Sequence, residues 1–279
     1  MELGGVRTPV LDTGGSACDA VLFMHGNPGC GCDWVPLMEQ IGPFCRAIAP
    51  DMPGFGRAEK PAGFNYTIDG YADHIALLVD ALSLRGVHLV VHDFGGPWAL
   101  AWAAANPGLV RSLTMINIGV LKGYRWHYLA RIWRTPVVGE IFQAITSRFA
   151  FRVILNYGNP RGLPREFVNR MYDNYDQATR SAVLQLYRAT NDLDADADAL
   201  SETLRSLDLD TLVVWGKADP YLPHRFAEDQ RDVFPRAQIF YLEDSGHWPF
   251  IDNPKAVTAA IIPFLQECVA KHIPSNLVR

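Results

Sequence analysis

Absences in this chain narrow the field first. No apolar run approaches the ~18–20 residues needed to span a bilayer, so a membrane-spanning helix is not expected. The opening Met1-Glu2-Leu3-Gly4-Gly5 has neither the charged start nor the apolar run of a secretory signal. Lysine and arginine number 25 against 30 aspartate and glutamate, a net charge of −5. With no basic run either, the composition excludes a nucleic-acid groove and leaves an anionic-membrane surface without support. Cysteine is scarce: Cys18, Cys30, Cys32, Cys45 and Cys268 are odd in number and irregularly spaced. They read as reduced thiols in a cytoplasmic protein. Cys30-Gly31-Cys32 has no second Cys/His pair at zinc spacing and reads as two small loop residues. The acidic stretch Asp192–Asp198 lacks the glycine and glutamate of a calcium loop and reads as a solvated loop into the next helix. There is no internal repeat, no phosphate-binding glycine loop and no cofactor motif, so neither cofactor nor metal is expected.

What is present is a chain of 279 residues, 49% of them apolar, enough for a substantial core. Short apolar runs recur at Ala20–Met24, Ala47–Pro50, Val87–Val91, Leu113–Ile118, Thr211–Trp215 and Gln238–Leu242, each followed by polar or glycine-rich residues. They do not alternate, as befits strands covered on both faces. Helical patterns such as Ile68–Leu84 and Pro97–Asn106 lie between them. Strand, helix and strand in repetition predict an α/β fold, a mostly parallel sheet with helices on both faces and chemistry at the carboxyl ends of the strands. One interval breaks the rhythm. Residues 120–205 hold no convincing strand but four helical stretches: Tyr124–Trp133, Glu140–Leu155, Arg165–Tyr175 and Gln177–Asn191. Far longer than the ~2–6 residues of an ordinary βα connection, this interval reads as a helical cap inserted into a core of residues 1–119 and 206–279.

The most informative stretch is Val90-Val91-His92-Asp93-Phe94-Gly95-Gly96. A strand ends abruptly at an acid flanked by small residues, and a helix begins. A sharp strand-turn-helix elbow exposes its middle side chain at a helix N-terminus, where free N–H groups stabilise negative charge. Alone, Asp93 could be a helix cap. Two later loops change that reading: Gly216-Lys217-Ala218-Asp219-Pro220 and Asp244-Ser245-Gly246-His247 place an acid and a histidine after the last two strands. Asp93, Asp219 and His247 then form an ordered nucleophile, acid and base.

With His25-Gly26-Asn27-Pro28 and Asp51-Met52-Pro53-Gly54-Phe55-Gly56, these motifs make the chain resemble the α/β-hydrolase superfamily. More narrowly it resembles the aspartate-nucleophile branch that includes epoxide hydrolases and haloalkane dehalogenases. The likeness covers nearly the whole chain, although the few residues before Ala20 imply abbreviated first antiparallel strands. It implies an alkyl ester formed on Asp93 and hydrolysed by water that His247 deprotonates, with Asp219 orienting the imidazole. It also implies oxyanion donors at the amides of Asn27 and Phe94. Dehalogenases of this branch typically carry a tryptophan after the nucleophile, and here Phe94 offers no donor. Tyr187 resembles one of the two cap tyrosines that epoxide hydrolases use. Tyr124, Trp126, His127 and Tyr128 are candidates for a further cap donor. The expected activity is hydrolysis of an apolar epoxide to a diol with water as the only co-substrate. Haloalkane dehalogenation is the alternative, and a non-catalytic binding protein of the same fold is the competitor outside enzymes. The sequence leaves the oligomeric state open. His25, His92 and Asp51 read as structural, and Asn117 as part of a turn.

Overall fold

The computed structural model describes residues 1–15, 19–190 and 195–272. A short hairpin, β1 (Glu2–Leu3) and β2 (Val6–Arg7), precedes a seven-stranded sheet. That sheet comprises β3 (Val10–Asp12), β4 (Asp19–Met24), β5 (Arg46–Pro50), β6 (Gly86–His92), β7 (Val110–Ile116), β8 (Asp210–Gly216) and β9 (Gln238–Leu242). The spatial order is β3-β5-β4-β6-β7-β8-β9. Only β3 runs antiparallel to its neighbour, so the antiparallel start is as short as the sequence implies. Every residue of β6 is buried, which explains its unbroken apolar run.

The first helices are α1 (Val35–Ile41), α2 (Ile68–Ala81) and α3 (Gly95–Ala105). Between β7 and β8 the chain makes six more: α4 (Tyr128–Arg134), α5 (Val138–Ile145), α6 (Arg148–Tyr157), α7 (Arg165–Asp173), α8 (Gln177–Ala189) and α9 (Ala195–Ser206). Then follow α10 (Arg225–Val233), α11 (Pro249–Asp252) and α12 (Pro254–His272). The last of the six, α9, packs against α3 and α10.

Local chemistry sets the boundaries in this helical excursion. The single pattern expected over Glu140–Leu155 is two helices. Thr146 Oγ1 bonds back to Phe142 O at 2.6 Å, and Ser147 Oγ caps the next helix by accepting from Ala150 N at 3.3 Å. Arg180 donates to the carbonyls of Gln143 and Thr146, satisfying the end of α5. Likewise α4 starts at Tyr128 rather than Tyr124, because His127 Nδ1 accepts from Ala130 N.

One expectation is corrected. Cys30 and Cys32 form a disulfide, so they are not reduced thiols, and that support for a cytoplasmic setting falls away. The 3₁₀ turn Gly31–Trp34 brings their Cα atoms to 5.3 Å, within disulfide reach. Beside them Asp33 is buried and pairs with Arg170 at 2.9 Å. Cys45 and Cys268 are free and buried. Cys18 and Asp192–Asp194 lie outside the described residues. No described helix is long and apolar enough to cross a membrane.

Candidate active site

Asp93 sits between β6 and α3 with φ +49°, a left-handed conformation costly for most side chains. Two close approaches make the bend possible. A Cβ on Gly95 would lie 2.3 Å from Met24 O, and one on Gly26 would lie 2.3 Å from both Cβ and Oδ1 of Asp93. Glycine at 26 and 95 therefore lets the β4 loop pass directly over the elbow.

Around this bend three titratable groups line up. Asp93 Oδ2 is 3.4 Å from His247 Nε2, and His247 Nδ1 is 2.7 Å from Asp219 Oδ2. Asn27 N donates to Asp93 Oδ1 at 2.7 Å. Asp219 is saturated: Oδ1 accepts from Tyr221 N and Leu222 N, and Oδ2 accepts from Asn117 Nδ2 at 2.8 Å besides His247. That network fixes the imidazole so that Nε2 faces Asp93.

Burial opposes the charge on both partners, and the pair overrides it. Burial would raise the Asp93 carboxyl, but His247 and the Asn27 amide hold it below the usual carboxylate range. Burial would lower His247, but Asp219 and then Asp93 raise it well above an ordinary imidazole. Both carboxyl groups facing His247 thus favour its protonated form.

The neighbouring histidines behave differently. His92, pushed down to about 3 by burial, is neutral and donates from Nε2 to His247 O at 2.7 Å. His25 Nε2 accepts from Met52 N at 3.0 Å, which leaves Nδ1–H for Gly26 O at 2.9 Å. Asp51 accepts from Gly31 N and Arg57 N. All three hold loop backbone, as the sequence suggests.

A buried cavity of about 70 Å³ opens over Asp93. Asn27, Phe94, Tyr124, Trp126, His127, Tyr187 and His247 all line it, whereas Asp219 stands behind His247. Tyr128 is the exception and a correction: it is 41% exposed, lies on the outer surface and does not line the cavity. It begins α4, and its neighbours Leu129 and Ala130 take the inward face. Tyr187 OH accepts from Asn27 Nδ2 at 3.4 Å, and its own proton has no acceptor among the described residues. Burial and the Asp93 charge hold that phenol well above its ordinary pKa. Tyr124 OH instead donates to Tyr221 O at 3.3 Å, whereas His127 accepts from Ala130 N at Nδ1 and, as a neutral ring, keeps its proton on Nε2. Trp126 lies nearly parallel to Phe94, at 6.3 Å between ring centroids, and 5.4 Å from Tyr187.

The sequence reading missed several neighbours. Asn117 does hold a turn, through Gly216 N to its Oδ1 at 2.8 Å, but the same amide also orients Asp219. Tyr221, two residues after Asp219, packs 5.2 Å from His247 and donates to Ile154 O. Gly158 O accepts from His247 N, and Asn159 Oδ1 accepts from Trp248 N, so the loop after α6 anchors the histidine loop. Nothing local in the sequence announces these long-range contacts.

Comparison with known proteins gives a consistent picture. A family model described as alpha/beta hydrolase fold matches residues 19–254. A 2-hydroxymuconate semialdehyde hydrolase of Pseudomonas sp. (strain CF600) is 29% identical, the match covering 96% of this chain and 94% of that protein. A haloalkane dehalogenase of Mesorhizobium japonicum is 27% identical, over 94% of this chain and 91% of that one. The crystal structure of a loop variant of haloalkane dehalogenase DbeA from Bradyrhizobium elkanii superposes with a TM-score of 0.84. It shares 24% identity over 98% of each chain.

Proposed function

The chain belongs to the alpha/beta hydrolase fold family, and on that footing we propose a hydrolase that breaks a carbon–heteroatom bond at saturated carbon through an ester on Asp93. The observation that carries the reading is the carboxylate at the strained elbow, with His247 Nε2 3.4 Å away and backed by Asp219. Asp93 displaces the leaving group X⁻ from R–X and keeps R as an alkyl ester. Esterification cancels one of the two anions facing His247, so the imidazolium loses its proton and Nε2 becomes free to accept one from water. Hydroxide attacks the ester carbonyl, whose oxyanion the Asn27 amide stabilises, and collapse returns Asp93, alcohol and a proton. A carboxylate suits ordinary ester or carbon–carbon hydrolysis poorly, because its acyl product would be a labile anhydride. In this reading the helices of the interval 120–205 act as a cap whose aromatic inner wall selects small apolar substrates.

Halide is the preferred leaving group. The similarity to the named haloalkane dehalogenase supports it, and so do two donors converging above Asp93. Asn27 Nδ2 and the Tyr187 hydroxyl, 3.4 Å apart, can cradle an anion without the tryptophan that Phe94 replaces. Trp126 stacks on Phe94 at the same wall. Epoxide opening, which the sequence puts first, remains the second reading on the strength of the free Tyr187 proton. It would use a pair of phenols, and Tyr124 has its hydroxyl proton committed to Tyr221 O.

A His247→Gln variant incubated in parallel with 1-bromobutane and styrene oxide tests both levels. Intact and peptide mass spectrometry is expected to find an alkyl adduct on the Asp93 peptide, with stoichiometric bromide. An epoxide adduct with inert bromoalkane would reverse the order of the two substrates. No adduct with either would sink the proposal.

A further inference from the structure

Helices α5 and α6 are apolar on two sides. Inward, Phe142, Phe151, Ile154 and Leu155 line the cavity. Outward, Ile141 and Ile145 on α5 are followed by Phe149, Val153 and Tyr157 on α6, a four-residue repeat with exposures of 55, 71, 76, 53 and 66%. Tyr128 meets Tyr157 edge-on at 6.3 Å and continues the stripe. Eight of the thirteen exposed large apolar side chains among the described residues lie between positions 128 and 157. Large exposed apolar side chains concentrated on the outer sides of two successive helices mark an interaction surface.

Charge identifies what covers it. Residues 120–190 carry eleven lysines and arginines against four aspartates and glutamates, although the whole chain is −5. The basic excess belongs to α4–α8; the sequence that follows, residues 191–205, adds five acids and one arginine, and the rest of the chain is acidic. Arg131 and Arg152 are exposed, have no ion pair among the described residues, and lie three residues from Tyr128 and Phe149 on the same helix faces. Arg165, at the start of α7, is exposed and unpaired as well. A second copy docked through a two-fold axis would press two such basic faces together, which like-charge repulsion opposes. An anionic bilayer offers apolar depth to the stripe and negative headgroups to the arginines, the combination that holds interfacial helices.

We propose that this face docks on an anionic lipid surface, with α5 and α6 lying in the headgroup layer. The outer wall of the cavity then rests against the phase in which apolar substrates dissolve. The absence of a basic run in the sequence argues against a membrane surface, but the fold gathers scattered arginines around a stripe that spans two helices. The docking stands independently of the leaving group and of the chemistry at Asp93.

The test is sedimentation of the full chain with vesicles of phosphatidylcholine alone or with about 30% phosphatidylglycerol. Binding is expected on the anionic vesicles, several-fold weaker on the neutral ones, and falling as salt rises from about 50 to about 500 mM. Two double variants, Phe149→Ser with Val153→Ser and Arg131→Glu with Arg152→Glu, remove the apolar and the electrostatic parts separately. Each is expected to weaken binding, the second by at least about tenfold given roughly fivefold per charge. Both should leave the melting temperature and turnover of a water-soluble substrate unchanged, since none of these side chains lines the cavity. Equal binding to both lipids, no binding, or failure of either double variant to weaken it would overturn the proposal. A concentration-dependent dimer broken by Phe149→Ser would overturn it too and assign the face to a second copy.

Discussion

Asn117 offers the sharpest check on how the fold holds its charged groups. It is fully buried at φ +45°, and its side chain makes three hydrogen bonds: to Asp219 Oδ2 at 2.8 Å, to Gly216 O at 3.2 Å, and from Gly216 N at 2.8 Å. Asn117→Gly keeps the left-handed backbone at no steric cost but strands the Gly216 N–H and removes one donor from Asp219. At about 1–3 kcal/mol per orphaned buried group, partly offset by repacking, the expected loss is about 2–4 kcal/mol. Asn117→Ala loses the same bonds and must also hold a Cβ in the left-handed region, a further ~1 kcal/mol. Urea denaturation at pH 7 should therefore rank wild type above Gly and Gly above Ala. Catalysis gives a second readout. With one donor fewer, the Asp219 carboxylate concentrates its charge on His247 Nδ1 and holds the imidazolium more tightly. The pH profile of ester hydrolysis should move to higher pH in both variants, beyond any loss of stability. Variants within ~1 kcal/mol of wild type, an Ala variant more stable than Gly, or an unmoved pH profile would refute the reasoning.

Gly26→Ala would set a Cβ 2.3 Å from Asp93 Cβ and Oδ1. Because displacing a reacting group by ~1 Å costs on the order of 100-fold, activity should fall by about that factor or more with native circular dichroism, and near-normal turnover would be incompatible. Tyr187→Phe removes a free donor from the leaving-group wall; single-turnover alkylation should slow roughly tenfold or more, and an unchanged rate would take the phenol out of the site. Stability should fall on the acid side: His74 and His88 are pushed down to about 4 and His92 to about 3 by burial. Below about pH 6.5 the unfolded chain binds protons these folded histidines refuse, so urea midpoints should decline steadily from pH 6.5 toward 4. On the alkaline side His247 acts oppositely. Its raised folded value gives stability that is complete below about pH 6.5 and lost as pH climbs through that value; His247→Gln should flatten this limb.

How much of this could be read from the chain differs by level. The strands β4 to β8 follow from apolar runs, because burial on both faces leaves little room for polar alternation, whereas β9, at the sheet edge, exposes Gln238 and Phe240. Asp93, Asp219 and His247 are legible because each follows a strand and has glycine or proline within three residues, a pattern that sharp turns require. The helices between β7 and β8 are harder to read. Their caps depend on single side chains, His127 and Ser147, and on Arg180 reaching the end of α5 from α8, so continuous periodicity hid the break at Thr146-Ser147. The Cys30–Cys32 bond escaped a reading based on number and spacing, since it depends on how tightly one turn is wound.

By itself, then, the sequence determined the order of elements and the identity of the groups at the strand ends, because hydrophobic period and turn chemistry are local properties. It did not decide which donors stay free. Tyr124 and Tyr128 are equivalent on paper, and only packing commits the first to Tyr221 O and turns the second to solvent, while it aims Tyr187 at Asn27. The same holds for charge. Arg131 and Arg152 are distant in the chain, and only the meeting of Tyr128 with Tyr157 joins their two helices. Proton states and surfaces are sums over neighbours distant in sequence, so they come into being with the tertiary structure.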